Sequence, residues 1–128
     1  MYYNFNPDLP EPLNVIHPLQ VPGIKQLMAN AFPEDIELII LFGSSLDLTC
    51  GIFSDLDLFI ITNSENEFDS YETVRALCLP IKKRFDILVS NMENFLSASK
   101  QHGTIESNLM RKGVCIYARK KGYFTRQG

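Results

Sequence analysis

The sequence predicts an α/β domain, with helices packed on a small mixed β-sheet. Three observations predict it. Residues 36–42, IELIILF, apolar but for Glu37, are too apolar for a half-exposed strand and read as one covered on both faces. Helical periodicity flanks that run on both sides. Turn residues then divide the chain into the order helix, strand, strand, helix, strand, helices, strand. The 128 residues suffice for one domain and leave little room for a second, and 45% apolar content is enough to bury a core.

Four of the seven prolines (Pro7, Pro10, Pro12 and Pro18) fall in the first eighteen residues. Residues 1–21 are therefore expected to form an extended arm lying on the surface or on a partner. The domain proper is expected over 22–119, with a frayed tail over 120–128. After Pro22, the residues Ile24, Leu27, Met28 and Ala31 recur at helical spacing until Pro33 stops the run. The strand over 36–42 is broken by Gly43-Ser44-Ser45, and 46–54 form a loop containing Gly51. A second strand is expected over 55–62.

Ser64 with Glu67 has the spacing of a capping box. The helix behind it would turn Phe68, Tyr71, Val74 and Cys78 inward and end at Pro80. A third strand is expected over 84–90. Ser90 with Glu93 would cap a short helix with Met92, Phe95 and Leu96 on one face, ended by Gly103. A further helical turn carries Ile105 and Leu109. Gly113 closes it, and 114–117 form a fourth strand.

Composition excludes several classes of function. A net charge of −3 does not suit a general polyanion binder, and no extended nucleic-acid groove is expected. The basic groups nearest to one are Lys82-Lys83-Arg84, read as a solvated run, and Arg119, Lys120 and Lys121. The three cysteines, Cys50, Cys78 and Cys115, are too scattered for a zinc site or disulfide framework. They read as buried, reduced thiols of a cytoplasmic protein. The first residues lack the basic and apolar regions of a signal peptide, and no apolar run approaches membrane-spanning length. His17 and His102 read as surface residues. Phe53, Phe59 and Phe68 read as core.

Asp55 and Asp57 carry the first chemical signal. Strand side chains alternate, so the two carboxylates share a face, about 6–7 Å apart along the chain. That face continues as Phe59 and Ile61. Asp86 interrupts RFDILV, an apolar pattern, in the third strand. A buried carboxylate needs a partner or a cation, and three converging carboxylates resist joint ionisation. A divalent ion resolves both conflicts, and an oxygen-only donor set favours Mg2+ or Mn2+. Asp55, Asp57 and Asp86 are thus candidate metal ligands and catalytic residues. Gly43 and Ser44, directly after a strand, offer backbone N–H groups and a hydroxyl to phosphate oxygens. Ser45 and Ser54 are further candidate nucleotide contacts. Together these features suggest a nucleoside triphosphate carried with its metal.

LFGSSLDLTCGIFSDLDLFIIT resembles the signature of the DNA polymerase β-like nucleotidyltransferase superfamily, above all its minimal nucleotidyltransferases. Their pattern is Gly-Ser, ten residues, Asp-x-Asp on a strand, then a third carboxylate on a later strand. RFDILV is similar to that third element, and RKGVCIYAR to the closing segment. The resemblance covers about residues 22–119. It implies that Asp55 and Asp57 bind the metals escorting the triphosphate. Asp86 would bind the second metal and help activate an acceptor hydroxyl, and Gly43 and Ser44 would hold the β and γ phosphates. The implied reaction moves an NMP, such as AMP from ATP, to that hydroxyl. Two positions depart from the pattern. Leu46, Asp47 and Leu48 stand where many relatives have an Ala-Arg-Gly-like turn, and Lys112 stands where an acid often precedes the late glycine.

The resemblance further implies a protein partner of the HEPN type, with this chain as the antitoxin-like half of the pair. A homo-oligomer is the other possible assembly. Two alternatives differ in kind. One is an antibiotic or small-molecule nucleotidyltransferase, whose acceptor pocket a partner subunit would complete. The other is a non-catalytic nucleotide- or protein-binding module, to which Asp47 and the apolar loop 46–53 point.

Overall fold

In the computed structural model, residues 4–120 are described. The strands β1 (Ile36–Phe42), β2 (Leu56–Thr62), β3 (Phe85–Asn91) and β4 (Val114–Ala118) form one sheet in the order β3-β2-β1-β4. β1 runs antiparallel to both β2 and β4, while β2 and β3 are parallel. The helices are α1 (Val21–Met28), α2 (Glu67–Cys78), α3 (Met92–Ser99) and α4 (Ile105–Lys112). The expected helices packed on a mixed sheet are therefore present, and most of the expected tail lies outside the described residues.

Alternation along the two central strands sorts their side chains into two cores. Ile39 and Leu41 of β1 join Leu56, Leu58 and Ile60 of β2 under Ile24 and Leu27 of α1 and Val74 and Cys78 of α2. Leu38 and Ile40 join Phe59 and Ile61 on the opposite face, under Phe95 of α3 and Leu109 of α4. Both faces of β1 are thus covered, which is why its sequence shows no polar alternation. At the far end of α4, a Cβ on Gly113 would stand 2.6 Å from Ile40 Cγ2 and 2.7 Å from the Leu109 carbonyl oxygen. Only glycine lets the chain pass so close to β1 there.

Several local expectations are corrected. Residues 13–16 are not a surface arm. A 3-10 turn over Leu13–Val15 buries Leu13 and Val15, and Ile16 is wholly buried. α1 stops before Pro33 because the Asn30 side-chain amide donates to the carbonyls of Leu27 and Gln26, satisfying the helix end early. Ala31 is exposed outside it. Neither predicted capping box forms. Asn66 caps α2, its Oδ1 accepting from the N–H of Phe68 (3.1 Å) and of Asp69 (3.3 Å), and Ser64 Oγ accepts from Asn66 N–H one step upstream. Asn91 caps α3, accepting from Asn94 N–H at 2.7 Å. α2 turns Ser70 inward, not Phe68, which lies exposed against Tyr71. Leu96 of α3 is likewise exposed.

Candidate active site

Strand register gathers the predicted carboxylates. Asp57 is the second residue of β2 and pairs with Asp86 on β3 on one side and with Phe42 on β1 on the other. Gly43 follows Phe42, with a φ of +79°, and opens a 3-10 turn over Gly43–Leu46. A Cβ at Gly43 would lie 2.2 Å from Asp57 Oδ2, so two independent constraints require glycine. Asp55 precedes β2, and its Oδ1 stands 3.5 Å from Nε of Arg84. The Arg84 side chain is largely solvated, so that pair adds little stability.

Burial raises the Asp57 carboxyl above its ordinary range, and the negative charges of Asp86 and Asp55 raise it further. Asp86 itself is exposed on an edge strand. The expectation that it is buried, and needs a cation on that account, is therefore corrected. What sets Asp86 apart is its adjacency to Asp57.

Among the described residues, no group of three carboxylate, histidine or cysteine side chains stands ready to hold an ion. The oxygen-only pair Asp57 and Asp86 nevertheless suits Mg2+, which takes one or two carboxylates and completes its shell with water and substrate phosphates. Its charge would relieve the repulsion that raises Asp57. Asp55 could join the pair by leaving Arg84.

A cavity of about 480 Å³ opens beside the turn. Phe42, Gly43, Ser44, Leu46 and Asp47 form one wall, and Asn108, Leu109, Arg111, Lys112 and Gly113 form the other. Ser44 thus faces open space. Ser45 does not: it is wholly buried, and its carbonyl accepts from His17 N–H at 2.7 Å. Ser54 closes the loop, its Oγ accepting from Gly51 N–H at 2.8 Å and its carbonyl from the Gln20 side chain at 3.0 Å. Both serines have structural roles as the chain stands. Asp47 accepts from the backbone and hydroxyl of Thr49, which hold its carboxyl below its ordinary range.

Sequence reasoning passed over Arg111 and Asn108, and gave little weight to Lys112, because their nearness to Gly43 depends on how α4 docks. Phe53 is corrected from core to surface: it is almost fully exposed at the tip of loop 46–53, with Leu48 and Ile52 also exposed. Phe59 is core, its ring centroid 5.6 Å from that of Phe95. Burial lifts the Cys78 and Cys115 thiols to about 11, keeping both protonated and unreactive.

The sequence model of the family "Polymerase beta, Nucleotidyltransferase" matches residues 23–122. The chain belongs to this family. No match was found among curated proteins. Among solved structures, this nucleotidyltransferase-family chain is similar to a candidate nucleotidyltransferase from Sulfolobus solfataricus. The two share 22% identity and a TM-score of 0.48, over 84% of this chain and 85% of that one. It is also similar to a chain of the toxin–antitoxin structure MntA–HepT, at 16% identity and a TM-score of 0.41, over 78% and 70% of the respective chains. A third likeness is to the structure of a tri-AMPylated Shewanella oneidensis HEPN toxin in complex with MNT antitoxin. Here identity is 16% and the TM-score 0.42, over 78% and 72% of the chains. Among the described residues of this family member, no helix is long and apolar enough to cross a membrane.

Proposed function

We propose that this protein is a metal-dependent nucleotidyltransferase that moves an NMP, AMP from ATP in the first instance, to an acceptor hydroxyl. One observation carries this: Asp57 lies between Asp86, its partner in the β2–β3 register, and Gly43, which has room for no side chain beside the carboxylate. The three groups come from separate segments and meet at one place, as a metal–triphosphate site requires.

Asp57 and Asp86, with Asp55, would hold Mg2+ or Mn2+. When bound, the ion neutralises charge on the triphosphate and steadies the attacking and leaving oxygens. Gly43 and Ser44 orient the phosphates. The acceptor oxygen bonds to the α-phosphorus, the bond from that phosphorus to the bridging oxygen breaks, and pyrophosphate leaves with those electrons. Asp86 accepts the acceptor's proton. Its exposure on the edge strand leaves that side open to a bulky acceptor such as a folded protein.

On the resemblance of the sequence to minimal nucleotidyltransferases, the acceptor is a hydroxyl, such as a tyrosine's, on a HEPN-type partner. A second reading, a binding module without turnover, draws on Asp47, whose charge faces the cavity beside the Gly43-Ser44 turn.

The test is to incubate the protein with Mg2+, labelled ATP and the product of the neighbouring gene. Label should pass to that product with wild type and not with Asp57→Asn. If the variant labels the acceptor as fast as wild type, the site assignment is wrong. If neither transfers label and Mg2+ with ATP causes no thermal shift, turnover is excluded.

A further inference from the structure

The groups described above occupy one edge of the sheet in a fixed order. Asp86 pairs with Asp57 and Asp57 with Phe42, while Leu41 pairs with Val114, the first residue of β4. Across β3-β2-β1-β4 this edge presents two carboxylates, then the Gly43-Ser44 turn, then the segment Arg111-Lys112-Gly113 entering β4. Neighbouring strands are about 4.8 Å apart, so two strand spacings, about 10 Å, separate Asp57 from that last segment. An extended triphosphate bound by its metal at the carboxylates would run across the turn toward it.

The cavity lies along this route, with Gly43 and Ser44 on one wall and Arg111 and Lys112 on the other. No ion pair joins either cation to a carboxylate among the described residues. The close seat of Gly113 on Ile40 fixes the end of α4 against β1, so the two side chains project from a firmly held segment. Cations in a last helical turn also offset the carbonyl end of the helix. That role alone would not require them to line a cavity shared with Gly43.

We propose that Arg111 and Lys112 form a subsite for the distal phosphates of the nucleoside triphosphate, and so for the pyrophosphate that departs. This deepens the nucleotidyl-transfer reading and rests on it. Arg111 supplies forked N–H donors and Lys112 a mobile point charge, both suited to phosphate oxygens. Asp47 opposes them from the facing wall, restrained by Thr49.

Calorimetric titration tests the subsite without turnover. Mg2+ with ATP, AMP or inorganic pyrophosphate is titrated into wild type, Arg111→Gln/Lys112→Gln and Asp47→Asn, each checked by thermal melting. The double variant should lose about tenfold or more in affinity for ATP and pyrophosphate while AMP is unchanged. Asp47→Asn should bind ATP more tightly than wild type. If the double variant folds and binds ATP like wild type, or loses ATP and AMP equally, the subsite is refuted while the nucleotidyl-transfer reading stands. If wild type binds neither ATP nor pyrophosphate, both fall together. Should the double variant melt early, Lys112→Gln alone decides by the same comparison.

Discussion

Gly43 and Asp57 leave each other no room for a further atom, and that constraint is testable. Gly43→Ala forces a Cβ to within 2.2 Å of Asp57 Oδ2 at a φ of +79°. It should cost about 1 kcal/mol or more of stability, read as a lower denaturation midpoint, and should abolish label transfer by displacing the carboxylate. Asp57→Asn should separate stability from function. The Asp57 carboxyl titrates above its ordinary 3.8 in the folded chain, through burial first and then through Asp86 and Asp55. Folding therefore favours the protonated form. Its contribution is complete below the ordinary value and is lost as pH rises through the raised one. At pH 7 in EDTA the asparagine variant should melt above wild type, and the gap should close as pH falls toward about 4. A variant that melts lower at pH 7 and keeps that deficit at acid pH would contradict the cause given. Residue type and spacing made Asp55, Asp57 and Gly43 legible in the sequence. Asp86 was found through a buried-polar argument that its exposure does not support, because periodicity on an edge strand does not reveal which face meets solvent.

At the scale of elements, hydrophobic periodicity located the four strands and four α-helices and matched β1 at both ends, but it misplaced the starts of α2 and α3. Caps are the reason. Asn66 and Asn91 accept from backbone N–H groups at positions that the Ser-x-x-Glu spacing assigned to Ser64 and Ser90. Asparagine and serine cap about equally well, so a short motif cannot choose between neighbours two residues apart or fewer. Asn66→Ala should cost about 1 kcal/mol of stability by chemical denaturation, and more than Glu67→Ala, which a true capping box at Ser64 would make comparable. Strand order was not legible. Whether β3 lies parallel beside β2, as it does, depends on α2 crossing one face of the sheet, and only that pairing brings Asp86 to Asp57. The cavity wall of Arg111 and Lys112 was hidden for the same reason: it belongs to the docking of α4 on β1, not to any local pattern.

At the scale of the whole molecule, the family was legible because Gly-Ser, Asp-x-Asp and the third aspartate form a joint spacing that no single turn or strand imposes. The proline-rich beginning was misread as an arm because prolines signal extended chain without saying what that chain covers. Ile16 is wholly buried beside α1 and β1. Ile16→Ala should therefore cost about 2–5 kcal/mol in the isolated protein, measured by urea denaturation, whereas a partner-bound arm would leave that midpoint unmoved. The arrangement of one sheet edge also has a consequence for biosynthesis. Asp57 and Asp86 can pair once β3 has emerged from the ribosome, but Arg111, Lys112 and β4 are made after them. On the proposed reading, a nascent chain could gather its carboxylates once β3 is made yet could not grip a triphosphate until α4 and β4 had followed. Chains that stop before α4 would then compete little for nucleotide with chains that contain it.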